Sequence, residues 1–373
     1  MKTKILLSFG LSAVIGTFSA QAQVTISALT SFGINGWDAS GSNPYVTTGT
    51  TERGLTFADG EVWLTSRASV SGSSVNVVEI DAATGAVDGT LNNSGITGGT
   101  FAIDGVAAGS DGALYVVNLT TSATSPFKVY EYANPLNLTT APTVFYSGNP
   151  LGGGTRLGDD LAAIGSGAST QLVAGFGAGS SGYEIITGGN ATAVTFTGAP
   201  PNAGDFRLGL TFTDSGHVIG TQGSSLYRYS SFSGTTGTLL ASPAIPDPAG
   251  ATADRLLAYD VVDGQDLLAV ESTGDNHVSI YNVNDPANPV YLASANNTTG
   301  TLTANANATG NIAWGTPTLN GDGSYTVDLY ALSTSDGIQA FQVNVVPEPS
   351  TVSLAVFAAG CAFLWRRRFA AAC

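Results

Sequence analysis

Short apolar segments that open on an acidic residue or an arginine recur along the chain. They read Glu52-Arg53-Gly54-Leu55-Thr56-Phe57, Asp104-Gly105-Val106-Ala107, Asp159-Asp160-Leu161-Ala162, Arg207-Leu208-Gly209-Leu210-Thr211-Phe212 and Asp254-Arg255-Leu256-Leu257-Ala258-Tyr259, with Asn311-Ile312-Ala313-Trp314 as an uncharged sixth. Anchored on Leu55, Val106, Leu161, Leu210, Leu257 and Ile312, the steps are 51, 55, 49, 47 and 55 residues. That is the size of a propeller blade of four antiparallel strands. The second run of each unit is almost wholly apolar, from Val62-Trp63-Leu64 to Leu329-Tyr330-Ala331-Leu332, and predicts a buried middle strand. The third alternates, as in Val129-Tyr130-Glu131-Tyr132 and Tyr183-Glu184-Ile185-Ile186. A period of two predicts a half-buried strand with its polar side outward. Turn residues, as at 81–85 and 285–289, then lead to a fourth strand.

The sixth unit has no fourth strand before Pro347, while residues 24–32 form a strand-like run with no unit of their own. Pairing the two ends would close the ring and remove an exposed sheet edge. The pattern therefore predicts an all-β propeller of six blades, with the N-terminal strand closing the last one. Seven blades is the alternative, because residues 37–50 are unassigned. A β-helix repeats at a shorter period, and a sandwich does not predict a fifty-residue repeat. Composition agrees: Gly at 48 of 373 residues and charged residues at only 10% argue against helices, whose exposed faces are Glu- and Lys-rich.

The formal net charge is -15, and five of the 12 Lys and Arg lie at the chain ends, leaving seven in residues 23–346 against 26 of the 27 acids. Such a surface repels phosphate backbones and excludes nucleic acid as an expected partner. Lys2 and Lys4 precede an apolar run over residues 5–18 and then Ala20-Gln21-Ala22, the order of a signal peptide cleaved after Ala22 by signal peptidase. The only cysteines, Cys361 and Cys373, fall in the C-terminal tail, so the body has no intramolecular disulfide. The expected division is 1–22 signal peptide, 23–346 propeller-like body and 347–373 tail.

The tail reads Pro347-Glu348-Pro349-Ser350, an apolar stretch over residues 351–365, then Arg366-Arg367-Arg368. The prolines favour an extended, accessible backbone, the apolar stretch a short hydrophobic helix, and the arginines a cytoplasmic end. This arrangement resembles the PEP-CTERM sorting signal of exopolysaccharide-producing Gram-negative bacteria. The resemblance implies recognition of Pro347, Glu348 and Pro349 by an exosortase, with transient inner-membrane insertion and delivery to the cell surface or extracellular matrix. The apolar stretch has 15 residues, shorter than the about 20 that span a bilayer comfortably, which weakens permanent anchoring more than sorting. Residues 278–293 resemble one LVIVD-type propeller repeat, and the body as a whole resembles the uncharacterised propeller-like domains that precede PEP-CTERM tails.

No Walker loop, Gly-x-Ser-x-Gly elbow or zinc pattern is present. His217 and His277 are the only histidines, and neither has an orienting partner in sequence, so both read as structural. The recurring charges are the main candidates. First strands line a propeller's channel, so Glu52, Arg53, Asp104, Asp159, Asp160, Asp205, Arg207, Asp254 and Arg255 are expected to converge at one mouth. There they either bind a sugar, a cation or an acidic-polymer fragment, or pair with one another. Residues 320–323 and 110–112 are weak calcium candidates and read more simply as turns, so no cofactor is expected. Trp63 and Trp314 are expected in the core; Trp37, in a loop-like setting, is the candidate for stacking on sugar. The leading expectation is a non-catalytic surface platform for polysaccharide or surface proteins. A hydrolase or lyase using channel-mouth carboxylates is the alternative.

Overall fold

The apolar runs of the repeat fold as strands. In this computed structural model the described residues are 23–177, 179–198, 201–221, 227–246 and 254–347. The expected signal peptide with Ala20 and Ala22, Glu348, Pro349, Arg366, Arg367, Arg368 and the expected C-terminal helix lie outside them. After β1 (Gln23–Ala28) and β2 (Trp37–Ala39), the first four-stranded antiparallel sheet comprises β3 (Glu52–Ala58), β4 (Glu61–Ser66), β5 (Asn76–Asp81) and β6 (Val87–Thr90). The second comprises β7 (Val106–Ala108), β8 (Leu114–Val117), β9 (Phe127–Tyr132) and β10 (Thr143–Gly148). Two further antiparallel sets follow: β11 (Ala162–Ile164), β12 (Gln171–Gly175), β13 (Gly182–Thr187) and β14 (Asn190–Phe196), then β15 (Gly209–Phe212), β16 (Val218–Thr221), β17 (Arg228–Ser233) and β18 (Thr236–Ala241). A short parallel pairing of β14 with β18 joins them into one eight-stranded sheet. Next come β19 (Asp254–Val262), β20 (Gln265–Ser272), β21 (Val278–Asn282) and β22 (Val290–Ala295). The last sheet holds β23 (Gly310–Trp314), β24 (Thr318–Leu319), β25 (Tyr325–Ser333) and β26 (Gly337–Val346). Its order is β1-β26-β25-β23, with β2 also on β26 and β24 on β25.

The result is an all-β, propeller-like arrangement. Turns form where the sequence supplies local acceptors: the Asp81 carboxylate takes the N–H of Thr84 at 2.7 Å and of Ala83 at 3.1 Å, and Asp285 takes the N–H of Ala287 at 3.0 Å. Such Asx turns replace the backbone bonds lost at a reversal. The core lies between adjacent sheets. Trp63 and Val77 of the first pack with Val106, Val116 and Tyr130 of the second, and Leu267 and Ile280 pack with Leu329, Phe341 and Val24. The apolar middle strands are buried on both faces for this reason. Three third-run expectations fail: Glu184 in β13 is fully buried, and Arg228 in β17 and Ser279 in β21 are 7% and 6% exposed, because neighbouring structure covers the face that alternation alone assigns to solvent.

The first strand of each set lies innermost. Going round, β3 contacts β7, β7 contacts β11, β11 contacts β15, β15 contacts β19, β19 contacts β23, and β23 contacts β3. The recurring glycine permits this convergence. A Cβ on Gly209 would sit 1.5 Å from the Arg255 carbonyl oxygen, and one on Gly54 would sit 2.6 Å from the Val106 nitrogen. Only hydrogen fits there. Among the described residues no helix is long and apolar enough to cross a membrane.

Candidate functional site

The charged residue precedes or opens the innermost strand, and the starts of these strands draw together, so the charges gather at one narrow end of the channel. Asp104 is fully buried there between two guanidinium groups, with Arg53 Nε at 3.1 Å and Arg67 Nη1 at 3.3 Å. Burial pushes its carboxyl up to about 6 against the opposing pull of both arginines. Arg53 also donates through Nη1 to Thr309 Oγ1 at 2.6 Å. Asp159 receives Nε and Nη2 of Arg156, both at 2.5 Å. Arg207 Nε approaches the same carboxylate only to 3.7 Å. Among the described residues, neither Arg207 Nε nor Arg255 Nε has a hydrogen-bond acceptor. Burial lowers the pKa of both, and neighbouring arginines lower them further: Arg156 and Arg53 beside Arg207, which Asp159 partly offsets, and Arg207 beside Arg255.

Asp160 turns inward. Its Oδ1 accepts the Leu161 N–H at 2.8 Å and Asn311 Nδ2 at 3.2 Å, and its Oδ2 accepts the Leu210 N–H at 2.8 Å. Asn311 belongs to β23, which does not neighbour β11, so this contact bridges the channel. Burial pushes the Asp160 carboxyl up to about 8. Beyond this bridge the channel widens into a cavity of about 720 Å³ lined by residues including Phe57, Ala108, Ile164, Tyr259, Asp260 and Trp314 and, among the described residues, by no Lys or Arg.

The other predicted members fall elsewhere. Glu52 is 1% exposed and accepts the Thr47 N–H and, at 2.9 Å, the Thr51 hydroxyl, so it fastens the preceding loop. Asp205 pairs with Arg228 Nε at 2.7 Å and accepts the Asn202 N–H. The Asp254 side chain lies outside the described residues. Two members escaped sequence reasoning. Arg67 follows β4 and also lies over the Phe101 ring at 3.7 Å, and Arg156 follows the glycine run at 152–154. Neither begins an apolar run. The available signal was scarcity: the body has seven basic residues, and five of them, Arg53, Arg67, Arg156, Arg207 and Arg255, meet at this end.

Trp37 is not in a loop. It lies in β2 opposite Gln339, and its Nε1 donates to the Asp336 carbonyl at 3.1 Å, which fixes the ring as part of the sheet. Trp63 and Trp314 are buried, with their Nε1 groups donating to the Ala58 and Ala258 carbonyls. His217 Nδ1 meets the Tyr229 hydroxyl at 2.5 Å, and His277 Nδ1 meets Asp275 at 3.1 Å. Residues 320–323 close as a turn through the Gly323 N–H to the Asn320 carbonyl, and Gly112 does the same with Gly109. Glu61, Asp81 and Asp88 bring carboxylate oxygens within 4.8 Å of one another away from the mouth, with Asp88 exposed.

Glu184 gives a pH-dependent prediction. The Tyr146 hydroxyl faces its carboxyl, but neither oxygen has a well-formed hydrogen bond, and burial pushes its pKa up to about 8. The folded pKa lies above the unfolded value, so the folded state holds this proton more tightly. Its stabilising effect is full below about pH 4 and is lost as pH rises towards 8. Glu184→Gln, which mimics the neutral acid, is expected to raise stability by a few kcal/mol (~1.4 per pK unit, less after relaxation) at pH 8.5 and to change it little at pH 4.5. Urea denaturation at both pH values checks this; equal effects at the two would contradict it.

A family profile described as "Domain of unknown function (DUF4623)" matches residues 24–195. No curated protein matches the chain in sequence. Among solved structures, the chain is similar to a DUF4623 family protein from Bacteroides eggerthii at 15% identity and a TM-score of 0.59, over 90% of this chain and 78% of that one. It is also similar to the major Malassezia sympodialis allergen Mala s 1 at 12% identity and a TM-score of 0.52, over 81% and 94%. At these identities the likeness is one of fold.

Proposed function

We propose that this protein is an exported, non-catalytic binding platform: a six-bladed propeller that an exosortase sorts through the Pro347-Glu348-Pro349 tail and that associates with exopolysaccharide at the cell surface or in the matrix. The six-blade reading is supported by the closed succession of contacts among β3, β7, β11, β15, β19 and β23 and by β1 completing the last sheet. The observation that carries the platform reading is the internal pairing at the mouth. Asp104 is taken by Arg53 and Arg67, Asp159 by Arg156, and Asp160 by two backbone N–H groups and Asn311. Carboxylates so engaged hold structure and offer no free acid and base pair facing one substrate.

The hydrolase or lyase reading draws on one observation, the raised pKa of Asp160 beside the channel. Both readings are tested by incubating the full chain with acidic exopolysaccharide. Retention without release of reducing ends or unsaturated sugars is the expected result. Product release that Asp160→Asn abolishes would replace the platform with an enzyme.

A further inference from the structure

We propose that the narrow end of the channel binds a carboxylate-bearing saccharide through the guanidinium groups of Arg207 and Arg255, with Arg156 beside them. The inference rests on the platform reading and names its ligand chemistry. A chain of net charge -15 has placed five of the seven basic residues of its body at one end of one channel. Two layers can be distinguished there. Below, Arg53 and Arg67 are held against the fully buried Asp104, with side chains 3% and 11% exposed. Above, Arg156 and Arg207 are 34% and 21% exposed, and Arg255 is also only partly buried.

Both layers hold buried polar atoms without a hydrogen-bond partner among the described residues, Arg67 Nη1 and Asp104 Oδ2 in the lower one, but the upper layer is the more exposed. Asp159 spends its hydrogen-bonding geometry on Arg156 and leaves Arg207 at 3.7 Å, while the Nε groups of Arg207 and Arg255 are buried atoms with no acceptor among the described residues. A guanidinium with an open N–H, next to another guanidinium that repels it, is stabilised by an incoming anion. The planar fork matches a carboxylate with two parallel hydrogen bonds. The Asp160–Asn311 bridge gives the site a floor, so a ligand enters from the narrow end only. The acidic remainder of the surface repels a densely charged polyphosphate, whereas a sugar acid presents one planar charge among neutral hydroxyls. That combination suits a small positive site on a negative protein.

The test is titration calorimetry of the full chain with trigalacturonate, with maltotriose as the neutral counterpart and sodium sulfate as a tetrahedral anion. Trigalacturonate is expected to bind, more weakly as salt is raised from about 20 to about 200 mM, and maltotriose is not. Arg207→Gln with Arg255→Gln is expected to weaken binding at least about tenfold, the loss of one charge-assisted contact or more. The melting temperature of that variant should stay level or rise, because mutual repulsion is relieved. Arg255→Lys, which keeps the charge and loses the fork, should fall between, and Arg228→Gln should bind as the parent does. Undiminished binding in the double variant, equal binding of maltotriose, or sulfate binding without trigalacturonate binding would overturn the inference. Retention of exopolysaccharide with no affinity for trigalacturonate would remove this inference and leave the platform standing. Arginine-dependent binding followed by cleavage would do the reverse.

Discussion

Deleting residues 24–32 from the full chain is expected to lower the melting temperature by roughly 10 °C or more. This segment holds β1, which lies on β26 as the outer strand of the last sheet. Val24 belongs to the core shared with Leu329, Phe341 and Val343, and Ile26 packs against it. Phe32 is fully buried, with its ring 5.8 Å from Tyr330. The Leu29 N–H donates to the Ala340 carbonyl at 3.0 Å. Losing three or four such side chains at about 1.5–3 kcal/mol each, together with a ladder of backbone bonds, removes several kcal/mol. A domain of about 150–250 residues loses about 2–4 °C per kcal/mol, and this larger body about 1–2 °C, because the unfolding entropy grows with length. The exposed edge of β26 should also promote association. Inserting two glycines between Ser71 and Gly72, an exposed hairpin tip, is the control and should change little. An unchanged melting temperature without residues 24–32 would show that β1 is not what joins the chain's ends.

Asp104→Ala is expected to cost about 3–5 kcal/mol, the usual result of removing one partner from a buried ion pair. The reason is what remains: Arg53, 3% exposed, and Arg67, 11% exposed, would share a closed space with no counter-charge between them. Urea denaturation measures the loss. Asp104→Asn, which keeps the shape and one acceptor, should cost less. An effect of Asp104→Ala below about 1 kcal/mol would mean that the arginines relax into solvent and that the lower layer of the mouth is not rigid.

Residues 39–48, part of the stretch that the repeat leaves unassigned, contain Val46 at 0% exposure. Asn43 Oδ1 accepts the N–H groups of Tyr45 and Val46 at 2.9 and 3.0 Å. Deleting them would open the core beneath Leu55 and Ile338, which share a cluster with Val46. The residues that form this knot are polar and irregular in spacing, so no periodicity marks them as buried. Trp37 was misread for the same reason: β2 has only three residues, too few for alternation to appear.

The local elements and their order are legible in the residues along the chain. Apolar runs at fifty-residue spacing specify strands because each must hide its faces. The glycine after the opening charge permits close approach, and the Asp- and Pro-rich turns reverse the chain. These are effects of a few neighbouring residues, and so they are legible along the chain, down to the strand at 24–32 with no unit of its own. Which charges meet depends on how the sheets pack round the channel. Arg67 and Arg156 join Arg53, Arg207 and Arg255, while Asp205 leaves for Arg228 and Glu52 for its own loop. Coulombic and hydrogen-bond partners are fixed by distance between residues far apart in the chain, 256 positions between Arg53 and Thr309 and 299 between Trp37 and Asp336, and no local pattern encodes that distance. Burial of Glu184 was settled in the same way, because whether a polar face meets water depends on whether another sheet covers it.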